Sequence, residues 1–370
     1  SMKILLVTGS FPPMKCGVGD YSAHLAKSLG REKDTSVAVL TDTAAASAPA
    51  DTDFHLLPVA HGWRISDIPP VMKTISRWNP DIVHIKYPTQ GYGNRKLPWL
   101  LPAIACAMRY KVVQTWHEYF PMGGYANLLN TSVPGGLIAV RPNYMEMMPS
   151  WYRWLIRNKI FAFIPNTSTI PFTQLTPAET EEIRARFTEK SKQLVVYFGF
   201  VYPEKGVEQI FEIADPSKHN LVLICDLEPS NKYQLKILSL LKNAVWAGRA
   251  TLTGFLPKEE AGRILAAADA VLFPFRKGGG EWNTSLQAAA TQGTFVLTTS
   301  TLRHGYQPSE NIFYSRPGDV KEMHEALIAH AGVRRTGTSN VHRTDWEAIA
   351  AAHVILYRKI LGKQFSGSKT

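Results

Sequence analysis

The segment Phe273–Gln287 combines the residue types that bind phosphate groups. A strand-like apolar stretch ends, Arg276 and three consecutive glycines follow, and Thr284 and Ser285 open a helical pattern. Backbone N–H groups at a helix N-terminus and an arginine side chain both favour phosphate oxygens. Glycine-rich segments are also common as plain connectors, but this one lies beside basic residues and a predicted helix start. We therefore expect Arg276, Thr284 and Ser285 to bind phosphate.

A second basic residue follows an earlier strand-like stretch. Lys205 lies in the run Tyr197–Gly206, between a predicted strand and a predicted helix. An ammonium group binds a diphosphate as a point charge. A solvated lysine beside a helix start is the structural alternative. Lys205 is accordingly a second candidate ligand of a diphosphate.

Gly17 and Gly19 lie between the first predicted strand and the first predicted helix. Glycines let the backbone approach a ligand closely, and the helix N-terminus behind them favours phosphate or another electron-rich oxygen. A dinucleotide fingerprint is a competing interpretation, with Asp42 as its acidic residue. That fingerprint places its first glycine directly after the strand, whereas Ser10–Lys15 intervenes here. A purely structural turn fits the same pattern.

His117 and Glu118 directly follow the apolar stretch Val112–Trp116. Ligand sites in parallel α/β sheets collect at the carboxyl ends of strands. Histidine is the side chain best suited to proton transfer and hydrogen bonding near neutral pH. His117 is therefore a candidate catalytic residue, and a structural histidine fits the position equally.

The elements that must position these residues alternate between strand-like and helical patterns in both halves of the chain, which predicts parallel α/β sheets. The predicted strands are Lys3–Thr8, Ser36–Thr41, Asp81–Lys86, Lys111–Trp116, Ile138–Val140, Ile160–Ile164, Gln193–Phe198, Asn220–Cys225, Ala250–Thr253, Ala270–Pro274 and Thr294–Thr298. The predicted helices include Asp20–Leu29, Gly206–Ala214, Tyr233–Leu241, Lys258–Ala268 and Ser285–Thr291.

This pattern predicts two doubly wound, Rossmann-like α/β domains that face each other across a cleft. We expect an N-terminal domain over 1–170 and a linker over 171–192, where prolines accompany a charged helical pattern. A C-terminal domain is expected over 193–344. The final helix, within 345–370, is expected to pack back on the N-terminal domain.

Composition narrows the function classes. The chain has 370 residues, of which 45% are hydrophobic and 19% charged, as in packed globular proteins. The formal net charge is +11, yet the basic residues are dispersed, which argues against nucleic acid as a partner. Cys16, Cys106 and Cys225 lack the spacing of a disulfide framework or a zinc site. The first segment predicts a strand rather than a signal peptide, and the chain is expected to be cytoplasmic.

One basic segment has a different character. Trp151–Lys159 mixes aromatic, apolar and basic side chains, as helices at a membrane surface do. Peripheral contact with the inner face of the membrane is one interpretation. An ordinary helix that closes a cleft is the other.

Taken in order, segments along nearly the whole chain resemble the retaining GT-B glycosyltransferases of family four, also called the group 1 type. The ordered set carries the resemblance, rather than any single segment. Its members are Gly17–Gly19, Asn79–His84, Thr115–Glu118, Gly199–Gly206, Gly254-Phe255, Ala268–Arg276 and Ala288–Gly293.

The resemblance implies a role for each matching residue. His117 would contact the transferred sugar, and Lys205 and Arg276 would neutralise the diphosphate leaving group; these three are the catalytic candidates. The implied donor-binding set is Gly17, Gly19, Gly199, Lys205, Phe255, Arg276, Glu281, Thr284, Ser285 and Gln287. The acceptor candidates in the first domain are Tyr87, Gln90, Tyr92 and Glu118.

The sequence departs from the family pattern at three positions. Phe200 stands where many relatives have an arginine, and Gly280 and Ala288 stand where many have glutamates. Glu281 and Gln287 are the nearest substitutes, each displaced by one position. These departures leave recognition of the ribose and sugar open.

The implied activity is retaining transfer of a sugar from a nucleoside diphosphate sugar, with UDP-glucose or a similar UDP-sugar expected, to a glycan or lipid-linked acceptor. No cofactor and no metal are expected, since relatives of this architecture usually act without one. Asp51-Thr52-Asp53 matches a metal-binding Asp-X-Asp motif only superficially and is expected in an exposed loop.

Other functions remain open. An epimerase or a phosphorylase-like enzyme on the same scaffold is one alternative, and a nicotinamide oxidoreductase is a more distant one. A non-catalytic protein that binds a sugar nucleotide is motivated by the missing glutamates.

Overall fold

The structure is a computed structural model that describes residues 1–14, 16–119, 126–280, 283–335 and 346–366, and only the backbone of residues 90, 126, 127 and 363–366. The chain divides into two compact units. One consists of Ser1–Asn166 together with Asp345–Thr370, and the other is Thr167–Thr344.

A parallel sheet forms the centre of the first unit. Its described strands are β1 (Met2–Val7), β2 (Thr35–Asp42), β3 (His55–Ala60), β4 (Ile82–Tyr87), β5 (Lys111–Trp116), β6 (Gly136–Ala139) and β7 (Ile160–Phe163). They are ordered β3-β2-β1-β4-β5-β6-β7, and each described pair is parallel. The order reverses between β1 and β4. In sheets of this kind, ligands bind outside the carboxyl ends of the strands near that point.

Helices cover both faces of this sheet. They are α1 (Gly17–Gly30), α2 (Ile68–Trp78), α3 (Leu97–Ala107), α4 (Ala126–Ser132), α5 (Tyr144–Met147) and α6 (Ser150–Leu155), with 3-10 turns at Thr43–Ala45, Ile65–Asp67 and Gln90–Tyr92. Alternate strand residues point to opposite faces, so the apolar strands supply two cores. Val83 and Ile85 belong to one core, and Ile4 and Val113 to the other.

The second unit repeats the arrangement with one reversed strand. Its described strands are β8 (Gln193–Phe198), β9 (His219–Ile224), β10 (Ala250–Leu252), β11 (Ala270–Phe273), β12 (Val296–Thr299), β13 (Gly305–Gln307) and β14 (Ile312–Ser315). The order is β10-β9-β8-β11-β12-β14-β13, and β13 is an antiparallel edge strand. The order reverses between β8 and β11, which places Gly199 and the loop after Phe273 at the carboxyl edge near that point.

The segment 171–192, expected to be a linker, is instead part of the second unit. The helices of this unit are α7 (Pro177–Ala185), α8 (Ile210–Ile213), α9 (Lys232–Lys242), α10 (Lys258–Ala267), α11 (Thr284–Thr291) and α12 (Val320–His330), with 3-10 turns at Pro203–Lys205 and Val207–Gln209. Helix α7 is held by Arg184, whose Nη1 lies 2.6 Å from Asp269 Oδ2, and by Glu179, 3.2 Å from Arg263 Nη1. These ion pairs explain the charged pattern that suggested a linker.

The last helix, α13 (Trp346–Ser366), belongs to the first unit and packs against α1. Ala350 and Tyr357 are fully buried there. The Tyr357 hydroxyl lies 2.5 Å from His84 Nδ1 on β4, although the two residues are 273 positions apart. The first unit is therefore assembled from both ends of the chain. Among the helices described, none combines the length and the apolar character that a bilayer crossing requires.

Candidate functional site

The N-terminus of α11 follows the loop after β11. Asn283 is its N-cap, and the Asn283 side-chain oxygen accepts a hydrogen bond from the Leu286 N–H at 3.0 Å. Thr284 and Ser285 form the first turn, where N–H groups have no acceptor within the helix. Those N–H groups and the helix dipole favour an anion at this position. Sequence reasoning found the helix start and missed Asn283 as the residue that caps it, although asparagine is a preferred N-cap.

Gly199 brings the end of β8 against this helix N-terminus. Its φ of 138° lies in the region that favours glycine, and a Cβ there would lie 3.0 Å from Ser285 Oγ. Two segments predicted to bind the donor, Gly199 and Ser285, are thus adjacent. Gln287 is half-buried on the same helix, and Glu281 lies outside the described residues.

Lys205 and Arg276 lie on two loops joined by a backbone hydrogen bond. The Arg276 N–H donates to the Glu204 carbonyl at 3.0 Å, and Lys205 Nζ lies 4.8 Å from the centroid of the Phe275 ring. The structure therefore brings the two predicted diphosphate ligands into one region of the second unit.

Arg276 has an internal anionic partner that sequence reasoning missed. Its guanidinium forms an ion pair with Glu208, a buried carboxylate that also accepts a hydrogen bond from the Tyr233 hydroxyl. Part of the Arg276 charge is consequently offset inside the protein. No local pattern pointed to Glu208, because a glutamate just after Gly206 is also typical of an ordinary first helical turn.

Exposed aromatic rings lie at the carboxyl ends of β8 and β10. Phe255 is 69% exposed. Phe200, the residue that departs from the family pattern, stacks on Tyr202 with ring centroids 6.0 Å apart. Aromatic faces of this kind suit stacking with a base or a sugar ring.

In the first unit, α1 begins earlier than predicted. Gly17 and Gly19 were expected in a loop, but both lie in the first turn of α1, whose N-cap Cys16 makes no side-chain capping bond. A Cβ at Gly19 would lie 3.0 Å from the Ser10 carbonyl oxygen, so glycine there permits close packing. Gly17 is exposed, with nothing within 4 Å of a Cβ. Close approach to a ligand therefore remains available at Gly17.

His117 lies at the carboxyl end of β5 and is only 9% exposed. The backbone N–H of His117 donates to the Tyr87 carbonyl at 2.8 Å. The imidazole ring contacts the Tyr21 ring edge to face, with centroids 5.1 Å apart. Nε2 is buried without a hydrogen-bond partner among the described residues. Burial, reinforced by the neighbouring basic groups Lys86, His353 and Arg141, holds the pKa of His117 well below 6.5. The imidazole is accordingly neutral at physiological pH and has a nitrogen available for a ligand.

Two acceptor candidates are core residues. Tyr87 is fully buried and stacks on both Trp99 and Trp116, whose rings also contact each other, and its hydroxyl donates to a backbone carbonyl. Tyr92 is 2% exposed and packs edge to face on Trp63. Both tyrosines were named as acceptor candidates of the first domain, and both instead fill the core between β4 and its covering segments.

The other two acceptor candidates differ from these. Glu118 is exposed and forms an ion pair with Arg141, whose Nε donates to the His117 carbonyl at 3.1 Å. Gln90 lies in the 3-10 turn Gln90–Tyr92, and its side chain is outside the described part of the chain. Glu118 is therefore the acceptor candidate with a described, accessible side chain.

The Asp-X-Asp segment is half-buried rather than exposed. Asp51 lies 3.7 Å from Lys27 Nζ and Asp53 lies 3.0 Å from Arg31 Nε, so both carboxylates pair with α1. Within the described ranges, no three His, Cys, Asp or Glu side chains are grouped to hold a metal ion. Cys16, Cys106 and Cys225 are unpaired.

Comparisons with known proteins bear on the whole chain. No protein-family model matches it. The GDP-mannose-dependent alpha-mannosyltransferase of Mycolicibacterium smegmatis is 25% identical over 323 residues, which cover 80% of this chain and 79% of that protein.

Solved structures resemble the chain over nearly its full length. Sucrose-phosphate synthase from Thermosynechococcus elongatus matches with a TM-score of 0.72 and 16% identity, covering 98% of this chain and 100% of that one. HepE of Anabaena, in complex with UDP-glucose, matches with a TM-score of 0.68 and 16% identity, covering 99% of this chain and 100% of that one. The fold is that of the GT-B glycosyltransferases. The predicted fold class of two Rossmann-like α/β domains is thus confirmed.

Proposed function

We propose that this GT-B chain is a glycosyltransferase that moves a sugar from a nucleoside diphosphate sugar to a glycan or a lipid-linked acceptor, with retention of anomeric configuration. The observation that carries the proposal is the N-terminus of α11, with Gly199 directly against Ser285. Such a site suits a phosphate group. The mannosyltransferase relative, 25% identical over 323 residues, supports sugar transfer as the reaction.

The chemistry follows from charge. Breaking the bond between the anomeric carbon and the diphosphate oxygen leaves negative charge on the diphosphate and positive character on the sugar. Fixed cations and helix N-terminal N–H groups stabilise such a leaving group by preorganised electrostatics. We assign this role to Lys205, Arg276 and the first turn of α11, without a metal ion. The acceptor hydroxyl oxygen then attacks the anomeric carbon from the face that the diphosphate leaves, and the hydroxyl proton passes to the departing diphosphate oxygen.

In the first unit we assign the contact with the transferred sugar to His117 and the approach to the donor to Gly17. The neutral imidazole has one donor and one acceptor nitrogen, which suits a sugar hydroxyl. Glu118 is the accessible candidate for the acceptor. In the second unit, the aromatic ring or backbone at Phe255 is assigned to the base.

Two donors compete. A UDP-sugar is our first choice, and HepE, which shares the fold, has been solved with UDP-glucose. GDP-mannose is the second, because the mannosyltransferase that is 25% identical depends on it.

Thermal unfolding with nucleotides tests the proposal. UDP, GDP, ADP, UDP-glucose, GDP-mannose and NAD are added separately, with and without EDTA. A ligand at 100 times its Kd stabilises the folded protein by about 2.7 kcal/mol, which raises Tm measurably. We expect stabilisation by one nucleotide family, unchanged by EDTA, and release of the diphosphate when acceptor is added. Stabilisation by NAD alone, or by none of these ligands, would contradict the proposal.

We also propose peripheral contact with an anionic membrane through α6. Trp151 and Trp154 are 48% and 61% exposed, and the Arg157 guanidinium lies 4.0 Å from the centroid of the Trp154 ring. Exposed tryptophans beside arginines are typical of segments that rest in the interfacial region of a bilayer. A lipid-linked acceptor would be reached from that position.

A further inference from the structure

A lysine is buried on the face of the first sheet that α1 and α13 cover. Lys86, on β4, is completely buried, and its Nζ has no hydrogen-bond partner among the described residues. The ammonium nitrogen lies 5.0 Å from the centroid of the Tyr21 ring. A buried charge without an anionic partner is unfavourable, and burial lowers the pKa of Lys86 to about 7. Such a residue is costly for stability and therefore calls for a function.

Lys86 and His117 share the same neighbour. The Tyr21 ring that faces Lys86 also contacts the His117 ring, at 5.1 Å between centroids. Lys86 pairs with Thr115 in the register of β4 and β5. Since side chains two positions apart point to one face of a sheet, Lys86 and His117 lie on the same face. Lys86 therefore lies on the same buried face of the sheet as His117, the residue assigned to the transferred sugar.

Burial is the main cause of the low pKa of His117, and basic groups add to it. Its charged form is disfavoured by Lys86, by His353 on α13 and by Arg141 after β6. Arg141 is itself paired with Glu118. Titratable groups of the elements packed around this face also include the buried Tyr21 on α1, His84 on β4 and Tyr357 on α13, and the half-buried Asp20 and His24 on α1.

His353 contributes little charge of its own. Its pKa is lowered to about 3, chiefly by burial, and Nδ1 lies 2.8 Å from the Ile349 carbonyl. His84 is held between Tyr357 and the Thr115 hydroxyl, both at 2.5 Å. Lys86 is thus the buried group on this face that is able to carry a positive charge near neutral pH.

We propose that Lys86 is a positioning residue that keeps the His117 imidazole uncharged, so that His117 meets a sugar hydroxyl as a neutral hydrogen-bonding group. This inference deepens the proposed function, on which its catalytic meaning rests. A proton on His117 would remove the acceptor nitrogen. It would also add positive charge beside the anomeric carbon, which itself gains positive character as the donor bond breaks.

The test is an NMR titration of the His117 imidazole in the full chain, assigned by the signal that disappears in His117→Gln. Lys86→Met removes the charge, Lys86→Arg retains it, and Lys159→Met is the control. Lys159 is a partly buried lysine of the same unit, and its Nζ donates to the Asn130 carbonyl at 3.3 Å.

We expect the pH midpoint of the His117 NMR titration to rise in Lys86→Met and to stay low in Lys86→Arg and Lys159→Met. The acidic limb of donor turnover against pH should move to higher pH in Lys86→Met alone. An unchanged His117 midpoint in Lys86→Met would overturn the inference. Because the titration needs no donor, it can be read even if the proposed transferase activity fails.

Denaturant unfolding against pH provides a second measurement. The pKa of Lys86 is about 7 when folded and near the ordinary 10.5 when unfolded, so folding releases a proton between these values. Lys86→Met should therefore be more stable than the unmodified chain below pH 7, by a difference that shrinks as pH rises toward 10.5. A difference that stays constant over this range would mean that the pKa of Lys86 is not lowered in the folded protein, as for a lysine paired with an anion, and would refute the inference.

Discussion

At the scale of single residues, the second unit presents two cations in different situations. Arg276 is paired with Glu208, which Tyr233 also holds. Lys205 lies over the Phe275 ring at 4.8 Å. A cation that already has a carboxylate partner gains less from a new anion, since its charge is partly offset. Arg276 is therefore expected to contribute less to anion binding than an arginine without a carboxylate partner would.

Lys205→Ala should weaken UDP binding by about 1.5–3 kcal/mol, roughly 10- to 150-fold in Kd, as for a lost charge-assisted contact. Isothermal titration calorimetry measures this, with the exposed Lys218→Ala as a matched control in the same unit. Arg276→Ala should weaken UDP binding by less than a full charge-assisted contact, because Glu208 offsets part of the Arg276 charge. An unchanged Kd in Lys205→Ala would remove this lysine from the site.

Glu208→Gln, measured by the same calorimetry, separates the effect of the Glu208 charge from the effect of its hydrogen bond with Tyr233. Glutamine keeps an oxygen for the Tyr233 hydroxyl but no longer offsets Arg276. UDP should then bind more tightly than to the unmodified chain. Weaker binding would instead show that Glu208 serves to hold the two loops.

At the scale of elements, α11 is the part of the candidate site that depends most on local structure. Asn283 caps it, and Ser285 in its first turn lies against Gly199. The helix has eight residues, too few for stability in isolation, so packing and capping hold its N-terminus in place. Changes at the cap should therefore affect both folding and anion binding.

Asn283→Ala should lower the free energy of unfolding by about 1 kcal/mol, because the Leu286 N–H loses its acceptor. Asn283→Asp should keep the stability, since aspartate caps helices equally well. Its negative charge should nevertheless weaken UDP binding by about 0.5–1 kcal/mol, as expected for an added charge at an anion site. Denaturant unfolding measures the change in stability, and calorimetry measures the change in UDP affinity. Equal UDP affinity in Asn283→Asp and the unmodified chain would argue that the anion binds elsewhere.

Elements of weak local pattern were not predicted. The edge strand β3 includes Pro58 and is mostly half-buried, and β13 has three residues. Helix α2 carries two prolines in its first turn, where proline is tolerated, but the same residues suggest a loop in sequence alone. The central strands, by contrast, are long and apolar because both of their faces are covered.

At the scale of the whole molecule, the chain forms two units, and the first requires both of its ends. Helix α13 places Tyr357 and His353 on the face of the first sheet that also packs against α1. His117 lies on this same face. The surface of this unit also presents the exposed tryptophans of α6. With a net charge of +11, the chain is attracted to anionic surfaces in general.

Membrane contact is predicted to need both the positive net charge and the exposed tryptophans of α6. The chain should sediment with vesicles that contain phosphatidylserine and not with neutral phosphatidylcholine vesicles, and salt should weaken the binding. Trp151→Ala with Trp154→Ala should reduce the bound fraction, whereas Phe172→Ala, another exposed aromatic residue, should not. Equal binding by the double variant would mean that the net charge acts without α6.

The sequence by itself determined the alternation of strands and helices, the class of the fold, and the glycine and basic segments near the carboxyl ends of strands. These features depend on local periodicity and on neighbouring residue types, which a single sequence contains. The family resemblance added roles for His117, Lys205 and Arg276, which the local pattern had given only as candidates.

Only the tertiary structure decided which side chains are accessible, charged or paired. Tyr87 and Tyr92 became core residues, Arg276 gained Glu208, and the lysine within an apolar strand became a buried group beside His117. Each outcome depends on elements that meet after folding; α13 contacts β4 across 273 residues of chain. Burial and electrostatic environment arise from such distant contacts, and a local pattern contains no information about them.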